Sequence, residues 1–339
     1  MTPSNTVEHG FRYGIEHEVA FYRADGTFAD FTNTSFTDFQ QIVDLLPEYP
    51  SDHRHLRLGD AGIRRKRWYI EGYERFDEAG KLLTCVPKGI EIRTTIHDSI
   101  AGVIGELQTS YRLLIETAAL FGYSPGAVSH NPNHNAFIPN PPLNAFELAQ
   151  QQHECPEERD TADIPMVTYG PDISLSQMGM NSAQLLDVAK KLTFYSPFIV
   201  PFSFTHLPSL RTYQRTGARP AVLAFVPDSA YVLNTNPTLT KPPRHPAESG
   251  RIEFKAFDTC ADLSLYAALC ALLKGLVLDT TLHGRAITPD TERHRLAAMQ
   301  GWQSPVIAES AHLCLNAAHR ALAADPDQTL LQTLFAQLP

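Results

Sequence analysis

Cysteine is scarce in this 339-residue chain: there are five, at 85, 155, 260, 270 and 314, and no two stand in Cys-x-x-Cys spacing. The odd count argues against a closed disulfide framework, and the spacing argues against a four-cysteine zinc site. Cys85, Cys155, Cys260, Cys270 and Cys314 therefore read as small core residues in a reducing compartment. No run approaches the roughly 20 apolar residues a membrane span needs. The stretch Met1 to Gly10 is polar and lacks the apolar segment of a signal peptide, so a soluble, cytoplasmic protein is expected. Positive charge is in deficit, with 28 Lys and Arg against 37 Asp and Glu and a net charge of −9. The longest cationic run is only Arg64-Arg65-Lys66-Arg67, too little for a general nucleic-acid surface. Phosphate-binding loops are missing too. Neither Gly-x-x-x-x-Gly-Lys-Ser/Thr nor Gly-x-Gly-x-x-Gly occurs, so any phosphate would have to be held by other means.

What is present alternates between strand and helix patterns. Phe11 to Tyr22 has period-two alternation of Ile15, His17, Val19 and Phe21 against Glu16, Glu18 and Ala20, which predicts a strand, and Asp25-Gly26 predicts a turn. A short helix is predicted over 37–46. The segments 66–76 and 81–95 flank Asp77-Glu78-Ala79-Gly80 and predict an antiparallel hairpin. Helical spacing of Ile100, Val103, Ile104, Leu107, Tyr111, Leu114, Ile115 and Ala118 predicts a long helix over 98–121. Residues 128–137 should return to the sheet, and 172–177, 221–234 and 250–258 should form further strands. Helices are predicted over 182–195, where Ser182 is the expected cap, and over the apolar 263–278. The sum is α+β: an antiparallel β-sheet with helices packed on one face. Residues 8–339 read as one catalytic domain, with a surface excursion at 139–165 and a helical C-terminal part from about 261.

Acidic pairs carry the chemistry. Glu16 and Glu18 stand at i and i+2 of one strand, on one face and roughly 6.5–7 Å apart. Two such carboxylates need a positive partner unless water solvates them, and a hard divalent cation is the natural one. Glu91-Ile92-Arg93 and Arg251-Ile252-Glu253-Phe254-Lys255 repeat the layout. Three strands of this kind suggest one polar sheet face suited to metal and phosphate, although salt bridges on a water-facing sheet would give the same pattern. Glu71 and Glu74 in the hairpin read as solvated, Asp60 as part of a turn, and His130 and His134 as loop residues, with the lining of a pocket as their alternative role. No cysteine has an obvious paired base.

Gly14-Ile15-Glu16-His17-Glu18 resembles the opening Gly-x-Glu-x-Glu strand of glutamate–cysteine ligase family 2, the carboxylate–amine ligases. Glu91-Ile92-Arg93-Thr94 is similar to that family's second strand. Arg251-Ile252-Glu253-Phe254-Lys255-Ala256-Phe257-Asp258, with the apolar helix after it, resembles its Arg-x-Glu-Phe-Arg-x-x-Asp signature. The resemblance runs in order over about residues 11–280. It implies a glutamine-synthetase-like catalytic domain that binds ATP and Mg²⁺ over an antiparallel sheet and forms a γ-glutamyl or related amide through an acyl phosphate, from small-molecule substrates. Carried over residue by residue, Glu16, Glu18, Glu91 and Glu253 would be metal ligands and Arg251 a phosphate contact, with Lys255 assisting at the transferring phosphoryl group. Arg211, Arg215 and Arg219 stand roughly where the family places arginines for carboxylate or phosphate. Relatives of this kind often self-associate, which leaves a homo-oligomer open.

Two departures accompany the resemblance. The family's Gly-x-His-x-His strand corresponds here to Gly170-Pro171-Asp172-Ile173-Ser174, so that Asp172 becomes a candidate oxygen ligand. Lys255 replaces the usual arginine, and a point charge is not a bidentate fork. Two other readings therefore stay open: a catalytically degenerate nucleotide- or amino-acid-binding relative, and a metal-dependent amide hydrolase.

Overall fold

The computed structural model describes residues 10–59, 63–153, 159, 161–215, 220–227 and 239–339, with the side chain of Arg215 left out. Its strands are β1 (Phe11–Arg23), β2 (Phe28–Ala29), β3 (Trp68–Phe76), β4 (Leu82–Arg93), β5 (Tyr123–Gly126), β6 (Pro171–Gln177), β7 (Val222–Phe225), β8 (Thr240–Lys241) and β9 (Arg251–Phe254). They form one sheet in the order β3-β4-β1-β6-β9-β7-β8, with β2 and β5 pairing the far end of β1. Every pairing is antiparallel except β7 with β8. The strands of the expected fold class are thus in place, with the α+β character its alternating patterns implied.

The helices are α1 (Phe36–Leu45), α2 (Ile100–Ala119), α3 (Ala145–Gln151), α4 (Ser182–Ile199), α5 (Leu210–Arg215), α6 (Leu265–Leu278), α7 (Thr291–Gln300), α8 (Pro305–Ala321) and α9 (Gln332–Phe335). Their starts follow local chemistry. The Ser99 hydroxyl accepts from the Gly102 N–H at the head of α2. At α4 the cap is Asn181, one residue before the expected Ser182, and Asn181 and Gln184 satisfy each other's backbone N–H. None of the helices among the described residues is long and apolar enough to cross a membrane.

Alternation along the strands divides the sheet into two unlike faces. Ile15, Val19, Ile90, Ile92, Ile173, Leu175, Ile252 and Phe254 lie on one, all at most 5% exposed, in a single core cluster with the apolar residues of α2, α4 and α6. Behind them, α8 packs on both α4 and α6. His17 also points to this side. It is buried between Tyr111 and Tyr266, and its Nδ1 lies 3.3 Å from the Tyr266 hydroxyl. Burial lowers its pKa to about 4, so it is neutral at physiological pH.

Two sequence expectations differ from the structure. Residues 128–137 do not rejoin the sheet as a strand. The Asn131 Oδ1 accepts from the backbone N–H of Asn133 and His134, and this local turn leaves only an isolated bridge between His130 and Thr168. The strand expected over 221–234 is limited to β7 among the described residues, because 228–238 lie outside them.

Candidate active site

The opposite face of the sheet is acidic, and strand register decides which carboxylates meet. Glu18 pairs with Glu91, Glu91 with Tyr69, Glu16 with both Arg93 and Asp172, and Glu253 with Ser174. Directly paired residues share a face, as do residues two apart. Glu16, Glu18, Glu91, Asp172 and Glu253 are thereby brought to one side, where they line a cavity of about 600 Å³ together with Glu71, Tyr69, Arg57, Arg244, Arg251 and Lys255.

Glu71 was expected to be solvated. Instead one oxygen each of Glu18, Glu71 and Glu91 lies within 4.8 Å of the others. The register explains this. Glu71 pairs with Gly89, which has no side chain to intervene, and the hairpin slips by one residue between Glu71 and Gly72. At Gly72 a Cβ would stand 2.2 Å from the Val86 carbonyl oxygen, so the slip has room only for glycine. The usable sequence signal was the two-residue step from Tyr69 to Glu71, but reading it required the register of the hairpin.

Among the described residues, Glu18 is the one of these three acids that forms an ion pair. The Glu18 Oε1 accepts from the Lys88 Nζ at 2.5 Å and its Oε2 from the Gly170 N–H at 3.0 Å. Lys88 is itself buried, and donates also to the carbonyl oxygens of Pro165 and Thr168. No ion pair to Glu71, Glu91 or Glu16 occurs among the described residues. Burial and then the surrounding acids push Glu91 well above the ordinary carboxylate range; burial, with Glu18 and Glu16 adding to it against Lys88, pushes Glu71 up to about 7. Glu16 is raised by burial and by Glu253. Three crowded carboxylates that share a single lysine offer the oxygen donors a hard divalent ion takes, so the residues present fit such an ion.

The other half of the floor is already neutralised. Lys255 Nζ contacts Asp172 Oδ2 and lies 2.7 Å from Glu253 Oε1. Arg251 reaches Glu253 Oε2 at 2.9 Å, donates to the Ser174 hydroxyl at 2.6 Å, and lies 4.2 Å from the centre of the Phe225 ring. Burial acts to lower the Lys255 pKa, but Asp172 and Glu253 outweigh it and hold the ammonium above the ordinary lysine range.

A second chamber of about 220 Å³ continues from the floor past Glu16 and Arg251. It is lined by Arg12, Arg57 and Arg93 with His55 and His245. Its cationic wall contrasts with the acidic floor beside it.

Of Arg211, Arg215 and Arg219, suggested for phosphate or carboxylate contact, only Arg211 has a described side chain, and it is not in this wall. Arg211 is 1% exposed, and its guanidinium donates to the main-chain carbonyls of Phe257 and Lys255. It supports the end of β9 from behind instead of reaching the cavity. Arg219 lies outside the described residues, as do the side chain of Arg215, Asp60 and Cys155. His130 binds Gln214 and the Asn131 carbonyl, His134 lies 3.6 Å from Asp30, and neither lines the cavity. Cys85, Cys260, Cys270 and Cys314 are buried with their thiol pKa values pushed upward by burial, which suits core packing and not nucleophilic attack. Gly122-Tyr123-Ser124-Pro125-Gly126 has the Gly-x-Ser-x-Gly spacing of a nucleophile elbow, yet it forms β5 against β1 with no helix following Ser124 directly.

No protein-family model and no curated protein matches the sequence. Solved structures do match. The glutamate–cysteine ligase of Francisella tularensis, in complex with AMP, is similar at a TM-score of 0.54 and 11% identity, over 97% of this chain and 81% of that one. A bifunctional glutathione synthetase from Pasteurella multocida gives 0.48 and 13%, over 97% and 48% of the two chains. The complex of prokaryotic ubiquitin-like protein Pup with its ligase PafA gives 0.49 and 12%, over 97% and 64%. This chain therefore spans about half the length of the glutathione synthetase and just under two thirds of the PafA complex chain. The first of these likenesses establishes the class: an α+β fold of the glutamate–cysteine ligase kind.

Proposed function

We propose that this chain is an ATP-dependent carboxylate–amine ligase that makes a γ-glutamyl or related amide. The observation that carries the reading is the convergence of Glu16, Glu18, Glu71, Glu91, Asp172 and Glu253, from five strands, over one cavity that also holds Arg251 and Lys255. The acid-lined floor, beside a cationic chamber, suits the joining of a polyanionic nucleotide to a carboxylate substrate. The fold shared with a ligase crystallised with AMP supports the same reading.

In the reaction proposed, a carboxylate oxygen of the substrate attacks the γ-phosphorus of ATP and ADP leaves. The amine nitrogen then attacks the acyl carbon, releasing phosphate and a proton. Glu18, Glu71 and Glu91 would hold a divalent cation, Mg²⁺ in the simplest case, which when bound supplies neutralising charge between phosphates. The chain's own cations do the rest. Arg251 is held in orientation by Ser174, Glu253 and the Phe225 ring, so its guanidinium is pre-aimed at charge developing on the transferring group. Lys88 fixes Glu18, and the apolar face behind β1 fixes both. None of the steps calls for a covalent nucleophile from the protein.

The test is ADP release with Mg²⁺ across a panel of glutamate-type carboxylates and amines, for the wild-type chain and Glu91→Gln. The expected result is release that needs both substrates and is lost in the variant. Release of free carboxylate and amine from an amide without ATP would favour the hydrolase reading, and no ADP with any pair would reject the ligase.

A further inference from the structure

We propose that Glu248 occupies, on Arg251, the place of an anionic ligand, and that residues 244–249 form a roof which the incoming anion releases by taking Arg251 from Glu248. The identity of that anion, the polyphosphate of a nucleotide, rests on the ligase reading; the exchange itself rests on how the roof is attached.

His245, Pro246, Ala247, Glu248 and Ser249 line the cationic chamber in unbroken sequence. Pro246–Glu248 is a single 3₁₀ turn closed by its own side chains. The Glu248 Oε2 accepts from the backbone N–H of Arg244 at 2.6 Å and of His245 at 3.3 Å, and the His245 Nδ1 accepts from the Ala247 N–H at 3.2 Å. Among the described residues, every hydrogen bond of 244–249 is made within the segment, and its one ion pair with the rest of the chain joins the Glu248 Oε1 to the Arg251 guanidinium at 3.8 Å. Gly250 comes next, at a φ of +75° that suits glycine, with its N–H held by the Phe225 carbonyl at 2.9 Å. The sheet begins there, and the roof before it is a self-contained turn fastened at one point.

Arg251 is the point of exchange. Its contacts with the Ser174 hydroxyl at 2.6 Å and with Glu253 at 2.9 Å come from strands β6 and β9, whereas the 3.8 Å contact with Glu248 is the longest of the three. The Arg251 Nε is buried with no acceptor among the described residues, so the guanidinium has a donor left to satisfy. Among the described residues, the chamber's acids are Glu16 and Glu248. Glu16 is fixed on β1, between β4 and β6, and cannot withdraw; Glu248 can, because its oxygen on Arg251 is not the one that closes the turn. The chamber's other cations would help to hold the anion. Arg12 is shared with Asp98 at 3.6 Å, and Arg93 donates to the Arg64 and Lys66 carbonyls, but Arg57 forms no hydrogen bond or ion pair among the described residues. A polyanion brings several charges to a place where Glu248 brings one, so it displaces the carboxylate.

The experiment measures calorimetric binding of inorganic tripolyphosphate, in metal-free buffer, to the wild-type chain, Glu248→Gln and Glu309→Gln. Glutamine keeps an acceptor for the turn and removes the charge from Arg251. Glu248→Gln should bind about threefold to tenfold more tightly than wild type, and Glu309→Gln, which removes an exposed charge on α8, should stay within about twofold. Equal or weaker binding by Glu248→Gln overturns the inference, since a carboxylate that only shapes the turn does not oppose an anion; so does a wild-type chain that does not bind tripolyphosphate. Wild type alone gives a second measurement. Deuterium exchange at the amides of 244–249 should quicken when tripolyphosphate binds, and slower or unchanged exchange would reject release of the roof. If both results hold but no carboxylate–amine pair yields ADP, the ligase reading fails and this one stands; ADP release with unaltered tripolyphosphate binding in Glu248→Gln does the reverse.

Discussion

Arg251 donates to the Ser174 hydroxyl across the β6–β9 pair at 2.6 Å, so a residue standing where a histidine would be expected from the family resemblance serves instead to aim an arginine. Its neighbour at the other departure, Asp172, does the same for Lys255. The two replacements thus act together on one strand face. Ser174→Ala should lower the rate of ADP release about tenfold with little change in stability, because the hydroxyl contact that orients the guanidinium alongside Glu253, Glu248 and Phe225 is lost. Unchanged turnover would show that the remaining contacts suffice.

Glu71 is predicted to be a ligand and not a solvated hairpin residue. Glu71→Gln should weaken Mn²⁺ binding by tenfold or more, through loss of one of three anionic oxygens, whereas Glu78→Gln in the nearby turn should leave it unaltered. Equal binding by the two variants would remove Glu71 from the site.

The glycine at 72 makes that placement possible. Gly72→Ala would press a methyl group to 2.2 Å from the Val86 oxygen. A loss of about 1–3 kcal/mol in urea unfolding is expected, accompanied by weaker Mn²⁺ binding as the slip moves and Glu71 turns. A stable variant with normal binding would mean the register does not set the position of Glu71.

Residues 141–147 are tied to β3 by Arg75 and Glu147. Arg75 Nε lies 2.8 Å from Glu147 Oε1, and the pair also binds the Pro141 carbonyl and the Phe76 N–H. The Arg75 hydrogen bond holds the Glu147 pKa at about 2, below its ordinary 4.5. A depressed carboxylate contributes stability that is complete above pH 4.5 and disappears as pH falls through about 2. Glu147→Gln should therefore be less stable than wild type by on the order of 2 kcal/mol at pH 7, with the gap closing between pH 4.5 and 2. A gap that does not vary with pH would show that the charge is not what matters.

Much of this site was legible because it lies on strands whose alternation is strict. Glu16 and Glu18 on β1, and Arg251, Glu253 and Lys255 on β9, are local patterns, and the residues that share a face follow from spacing alone. Glu71 was not legible, since its face depends on a slip in register set by Gly72 and by the absence of a side chain at Gly89. Arg211 misled for the opposite reason. An arginine near a suspected phosphate site invites a ligand contact, but the partners that actually take it are backbone carbonyls 44 and 46 residues away. The turn at Asn131 was hidden in the same way, because a side-chain oxygen took the N–H groups that a strand would have used.

β1 is paired on both edges, to β4 and β6 through the acidic stretch and to β2 and β5 beyond it. Its backbone amides near Glu16, hydrogen-bonded between two strands, should therefore exchange among the slowest in the chain.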